Sequence, residues 1–334
     1  MRRSLAPAGG AADEPTLFRR KDLLGLRFLE PGEIIHILDV AEQFRNLNLR
    51  AVKKVPTLRG KSVVHLFLEA STRTRTSFDI AAKRMSADTF SISGGASSTT
   101  KGETLMDTAK NLAAMHPDII VVRHKRSGGV LALAEALPET SIINAGDGRC
   151  EHPTQGLLDL LTIRRALGGF RGRTVTIIGD ITHSRVARSN IHGLTKVGAK
   201  VRVCGPPTLI PMGIEELGVE VHHRLEDAMR GADVLMALRI QKERIPRGGH
   251  YFPTTREYSR LYGINRDKLR SWARKDVVVM HPGPINRGIE LEPEVADGEW
   301  SVILDQVENG VAVRMACLYL ALGGERAAAR EGRG

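Results

Sequence analysis

The chain has 334 residues, about two domains' worth, and its 42% hydrophobic content supports packed cores and excludes wholesale disorder. Lys and Arg number 49 against 38 Asp and Glu, a formal charge of +11, so the partners to weigh are nucleic acid, an acidic membrane surface or small anions. Aromatics at 4% count against a base-stacking surface, and three cysteines exclude a disulfide framework and point to a reducing cytoplasm.

Residues 1–16 and 324–334, rich in Ala, Gly and Arg, read as solvated, disordered tails. No apolar stretch follows the first arginines, so no secretory signal is expected. Ile34, Ile35, Leu38 and Ala41 at helical spacing predict a helix over 31–47. An alternation then begins: a strand at 62–70, helices at 76–85 and 103–115, a strand at 117–124, a helix at 128–137, a strand at 141–146 and a longer helix at 154–169. It restarts with a strand at 174–180, a helix at 184–198, strands at 199–205 and 218–223, a short helix at 226–231, and strands at 232–238 and 276–282. Residues 241–272, rich in Arg, Gly, Pro and Tyr, read as a long loop with one short helix. A last helix, 306–323, is expected to pack back on the first unit. No apolar run approaches the ~20 residues a bilayer requires, so no membrane partner is expected.

Continuous apolar strands separated by amphipathic helices predict an α/β protein: two doubly wound domains with parallel sheets, joined by helices. The expected division is 17–152 and 153–305. Ligands of such sheets bind beyond the carboxyl ends of the strands, which puts the active site in the interdomain cleft.

The chemically dense segments fall at those ends. Ser71, Thr72, Arg73, Thr74 and Arg75 sit at a strand–helix junction, where unpaired helix N–H groups, hydroxyls and two guanidiniums suit a tetrahedral dianion. The loop lacks GxxxxGK[ST], so a nucleotide P-loop is not supported. Arg123 closes a strand and faces either a carbonyl oxygen or a phosphate. His152 and Gln155, in His-Pro-Thr-Gln, offer a donor to a carbonyl and an acceptor to an NH2 group, with Pro153 in the first helical turn. The turn His281-Pro282-Gly283-Pro284 leaves backbone carbonyls free to accept. There is no GxGxxG for a dinucleotide and no HExxH or CxxC for a metal, and Cys150, without a clear base to activate it, reads as a bystander thiol.

The string FLEASTRTRTSF resembles the carbamoyl-phosphate signature of the carbamoyltransferases, aspartate and ornithine types, with Ala70 where the family usually has Pro. The resemblance covers about 17–323, with five motifs in family order. It implies that Ser71, Thr72, Arg73, Thr74, Arg123, His152, Gln155, Gly283 and Pro284 bind carbamoyl phosphate, and that Arg73, Thr74, Arg123 and His152 carry the catalysis. His-Pro-Thr-Gln and His-Pro-Gly-Pro lack the Cys typical of the ornithine type. The segments GDITHSR and LRIQKER resemble the aspartate type, whose arginines pair two carboxylates. This makes Lys101, Arg185, Arg239 and Gln241 the aspartate-binding residues. The resemblance further implies a homotrimer in which Ser97 and Lys101 are lent by the adjacent subunit. It leaves open a larger assembly with regulatory chains or dihydroorotase.

The implied reaction carries the carbamoyl group of carbamoyl phosphate to the α-amine of L-aspartate, an early cytoplasmic step of pyrimidine biosynthesis, with no cofactor and no metal. Two other readings are a different amine acceptor, such as ornithine, and a basic nucleic-acid-binding protein. Low aromatic content and dispersed arginines count against the last.

Overall fold

Each of the two apolar series forms its own parallel sheet. In the computed structural model, which describes residues 17–93, 104–241 and 254–323, β1 (Ser62–Phe67), β3 (Ile119–His124) and β4 (Ser141–Asp147) are buried along nearly their whole length. With β2 (Asp88–Ser93) they form a four-stranded sheet in the order β2-β1-β3-β4. The second sheet takes β5 (Thr174–Ile178), β6 (Lys200–Cys204), β7 (Val219–His222), β8 (Val234–Ala237) and β9 (Val278–Met280) in the order β7-β6-β5-β8-β9. Every pairing is parallel, so each connection crosses over a sheet face and helices cover both sides. The described residues thus make two α/β domains.

The sequence pattern does not predict β2. Its residues, DTFSIS, are only partly buried at the sheet edge, and an edge strand with one solvated side needs no continuous apolar run. The first domain's helices are α1 (Pro31–Asn48), α2 (Thr72–Arg84), α3 (Leu105–Ala113) and α4 (Gly129–Ala136). Helix α5 (Pro153–Leu167) leads into the second domain, and a left-handed Gly168 (φ 77°) closes it.

The second domain carries α6 (Arg185–Lys196), α7 (Leu225–Met229), α8 (Thr255–Tyr262), α9 (Arg266–Trp272) and α10 (Pro293–Ala296). The expected loop over 241–272 is corrected in its described part, which holds two helices. Thr254 and Asn265 accept from Glu257 N–H and Lys268 N–H at the two starts, and Tyr258, Tyr262 and Leu269 are buried. Residues 242–253, and the expected tails, lie outside the described residues. Helix α11 (Ile303–Ala321) starts three residues earlier than expected and packs on α1, α5 and α2, back against the first sheet's helices.

Among the described residues, one apolar cluster runs from the first sheet through α5 and α11 to the second sheet, and each sheet keeps a smaller cluster under its other face. Glu151, just before α5, accepts from Leu26 N–H at 2.7 Å and Ser189 Oγ at 3.0 Å, tying the chain's start to α6. No described helix is long and apolar enough to cross a membrane.

His65 and His192, outside the cleft, are held neutral by burial. His65 in β1 is fully buried against Phe67 and Phe78, and burial lowers its pKa from 6.5 to about 4; His192 in α6 is lowered to about 4 for the same reason, aided by Lys196. Between those values the unfolded chain binds more protons than the folded one, so this stability is fully present above pH 6.5 and is lost as pH falls towards 4. For His65 the loss amounts to about 3 kcal/mol. His65→Leu is therefore expected to melt with a flatter acid limb than wild type between pH 6.5 and 4, measured by thermal denaturation. Parallel limbs would contradict this account of His65.

Candidate active site

Parallel pairing points the carboxyl ends of each sheet's strands one way, and the segments beyond β1, β3, β8 and β9 open into one cavity of about 720 Å³ between the domains. Ser71, Thr72, Arg73, Thr74, Arg123, His152, Gln155, Arg185, Arg239, Gln241, Gly283 and Pro284 all line it. Ser97 and Lys101 lie outside the described residues.

The STRTR segment begins α2 rather than preceding it. Ser71 is the N-cap residue, extended at φ −161°, but its side chain makes no cap bond, which leaves the first-turn N–H groups to water or a ligand. Of the motif's two guanidiniums, only Arg73 lines the cavity. Arg75 turns to the sheet edge and donates to Ser93 Oγ at 2.8 Å. Arg73 instead crosses to the second domain, where a Cβ on Gly283 would overlap its guanidinium; Gly283 also sits at φ +66°, which side chains rarely adopt. Partial burial, and then the charge of Arg239, hold Arg73 below its ordinary pKa. Two like charges are thus crowded where an anion would relieve both.

Glu69, at the end of β1, is the residue that sequence reasoning missed. Arg185 grips it with both terminal nitrogens, at 2.7 and 2.9 Å, and Arg123 donates to it at 3.0 Å. Arg123 also donates to the Ala145 carbonyl at 3.1 Å. The carboxylate therefore joins β3 of one domain to the start of α6 in the other. Its signal was its place beside STRTR, where a lone acid among arginines invites pairing. Six arginines (Arg73, Arg123, Arg185, Arg239, Arg287, Arg314) and this single carboxylate are the charged groups among the described residues lining the cavity. Such a surplus favours a multiply anionic ligand.

On the far wall, His152 caps the start of α5 and is buried, its N–H donating to Ser189 Oγ at 2.9 Å. Gln155 donates from Nε2 to Asp159 at 3.0 Å. The His281–Pro284 turn is held from three sides. Gln306 Oε1 accepts from His281 N–H at 2.9 Å, His281 Nδ1 accepts from Gly283 N–H at 2.7 Å, and Glu290 lies 3.3 Å from Nε2. With Nδ1 accepting, the ring proton belongs on Nε2, facing the carboxylate. Burial lowers the His281 pKa, against the opposing pull of Glu290, so the ring stays neutral. Gln241 N–H donates to Asp180 at 3.2 Å, which fixes the chain just after Arg239. Cys150 is half-buried and in no disulfide.

A larger hollow of about 1280 Å³ lies between residues 17–21 and 320–323, bordering chain ends outside the described residues. Its described lining takes in the amino ends of β3 and β4, at Asp118 and Ser141, and no strand's carboxyl end, where ligands of such sheets bind. The interdomain cavity is the site the fold prepares.

This chain matches two family profiles: the carbamoyl-phosphate-binding domain of the aspartate/ornithine carbamoyltransferases over residues 21–165, and their Asp/Orn-binding domain over residues 171–321. It is 58% identical over 320 residues to the aspartate carbamoyltransferase catalytic subunit of Desulfotalea psychrophila, covering 96% of this chain and 99% of that protein. It is 60% identical over 309 residues to the same subunit of Syntrophotalea carbinolica, covering 92% and 97%. Among solved structures it resembles aspartate transcarbamoylase from Trypanosoma cruzi in complex with carbamoyl phosphate and aspartate, with a TM-score of 0.80, 30% identity, and 90% and 97% of the two chains covered. It likewise resembles ornithine carbamoyltransferase from Thermus thermophilus, with a TM-score of 0.80, 28% identity, and 92% and 100% covered.

Proposed function

The chain belongs to the aspartate/ornithine carbamoyltransferase family, and from that premise we propose how its cleft works. It transfers the carbamoyl group of carbamoyl phosphate to the α-amine of L-aspartate, giving N-carbamoyl-L-aspartate and phosphate, an early step of de novo pyrimidine biosynthesis. The observation that carries this reading is the gathering of six arginines around one cavity, from both domains. One group lies at the uncapped start of α2 and suits a phosphate. Arg185 and Arg239 enter from the second domain, where two carboxylates of an amino acid would meet two guanidiniums. The aspartate-type relatives at 58–60% identity support the same acceptor.

In this mechanism Arg73 and the Ser71–Thr74 backbone bind the phosphate of carbamoyl phosphate. Thr74, Arg123 and His152 face the carbamoyl oxygen and stabilise the oxyanion formed when the amine attacks. Gln155 and the Gly283 and Pro284 carbonyls accept from the NH2 groups. Arg239 and Gln241 hold L-aspartate, and Arg185 joins them as its pair with Glu69 opens to the ligand. Among the described residues no carboxylate or imidazole is placed as general base, and the leaving phosphate takes the amine proton. Most of the acceleration then comes from orientation, for which ~7–11 kcal/mol is available in principle.

Residues 17–152 with α11 form the carbamoyl-phosphate unit and 153–305 the aspartate unit. The working form is a homotrimer in the cytoplasm, with Ser97 and Lys101 of each subunit completing the neighbour's site.

The direct test is a carbamoylation assay with L-aspartate and L-ornithine offered separately. Ureido product from aspartate alone is expected, and preferential turnover of ornithine would contradict the reading. Arg239→Ala is expected to raise the aspartate KM by about 100-fold, with a smaller change in kcat. An unchanged KM would remove Arg239 from the aspartate site.

A further inference from the structure

We propose that Asp159, which does not itself line the cleft, is a positioning residue that sets the site's selectivity for a donor bearing an NH2 group. The inference deepens the carbamoyl-transfer reading and rests on it.

Asp159 lies on α5, one turn beyond Gln155, and is fully buried. Three side-chain amides from three helices converge on it. Gln155 Nε2 of α5 donates at 3.0 Å, Gln306 Nε2 of α11 at 2.7 Å, and Asn190 Nδ2 of α6 at 2.7 Å. An ionised carboxylate only accepts, so each amide must present its nitrogen to Asp159 and turn its oxygen the other way. For Gln306 that oxygen holds His281 N–H in the Pro-Gly turn. For Gln155, which lines the cavity, it is the oxygen that is left for the ligand. A Gln side chain standing alone can rotate and offer either end at little cost. Bound to Asp159, it offers an acceptor. An acceptor favours a carbamoyl NH2 over the methyl group of an otherwise similar acyl phosphate. Burial penalises the carboxylate, and the amides of Asn190, Gln306 and Gln155, then Arg314, offset that penalty, so a turned Gln155 is costly.

Substitution separates this role from simple support. Asp159→Ala removes the acceptor. Asp159→Asn keeps one oxygen for the two glutamines, while its NH2 faces Asn190, whose Oδ1 has no other partner and can turn to receive it. Binding of carbamoyl phosphate and of acetyl phosphate is measured by calorimetry on the folded wild type and both variants. Wild type is expected to prefer carbamoyl phosphate. Asp159→Ala is expected to lose about tenfold or more of that preference with acetyl phosphate affinity unchanged, and Asp159→Asn to restore it. Parallel losses for both ligands in Asp159→Ala, or a preference that survives it, would overturn the proposal.

Should Asp159→Ala fail to fold, a structure of the wild type with carbamoyl phosphate decides. Gln155 bonded at once to Asp159 and to the carbamoyl nitrogen is expected, and Gln155 turned away from Asp159 overturns the inference. A wild type with no preference between the two acyl phosphates would count instead against the carbamoyl reading of the site.

Discussion

Arg73→Ala is expected to lower turnover by about 10³-fold or more while leaving the melting temperature nearly unchanged. The asymmetry follows from where the residue sits. Arg73 is in the first turn of α2 and exposed to solvent in the cleft, so its removal opens no cavity in the core. Its guanidinium lies against Gly283 of the opposite domain, beside Arg239, in a place where burial and like charge both disfavour the cation. A surface arginine serving solubility would point away from such a neighbourhood. One that must meet a phosphate as it departs has reason to stay. Charge on that phosphate grows in the transition state, so removal of the guanidinium acts on kcat more than on KM. Steady-state kinetics with a thermal melt checks both halves. Near-normal turnover would remove Arg73 from the phosphate site, and a collapsed melt would make it a structural residue.

Mixing two inactive variants is expected to recover activity. If each site takes Arg73 from one subunit and Lys101 from its neighbour, a trimer containing both Arg73→Ala and Lys101→Ala chains has one site in which both residues are native. That site pairs the Arg73 of a Lys101→Ala chain with the Lys101 of an Arg73→Ala chain. A random equal mixture should therefore regain roughly a quarter of wild-type activity, from a background near zero. Activity is read after unfolding and reassembly of the mixed variants, with mixed trimers verified by native mass spectrometry. No recovery in verified mixed trimers would mean self-contained sites.

The legible parts of the fold were those whose signal is local. The apolar runs of β3, β4, β5 and β8 are buried on both faces and read directly as strands. β2 escaped because half its residues face solvent, and α8 because its apolar residues are few and aromatic, at Tyr258 and Tyr262. The site divides the same way. STRTR, HPTQ and HPGP are contiguous strings in which neighbours in sequence are neighbours in chemistry, and their likeness to family motifs carried the assignment. Glu69, Asp159 and Gln306 work through partners far along the chain: Glu69 and Arg185 are 116 residues apart, and Asp159 and Gln306 are 147 apart. Only the folded chain brings those partners together. Arg75 is the opposite case, because its place in the motif promised an anion contact and the helix turn sends it to Ser93 instead.

The central claim is that arginines from separate domains converge to hold a phosphate and a dicarboxylate side by side. N-(phosphonacetyl)-L-aspartic acid, seen bound to the Trypanosoma cruzi enzyme that this chain resembles at a TM-score of 0.78, carries both anions on one small frame. A crystal structure of this protein with that compound is the most direct test. The account predicts a single molecule spanning the cleft, its phosphonate on Arg73 and the start of α2, its carboxylates on Arg185 and Arg239. A phosphonate bound elsewhere, or Arg73 and Arg239 gripping separate molecules too far apart for one ligand to join, would contradict it.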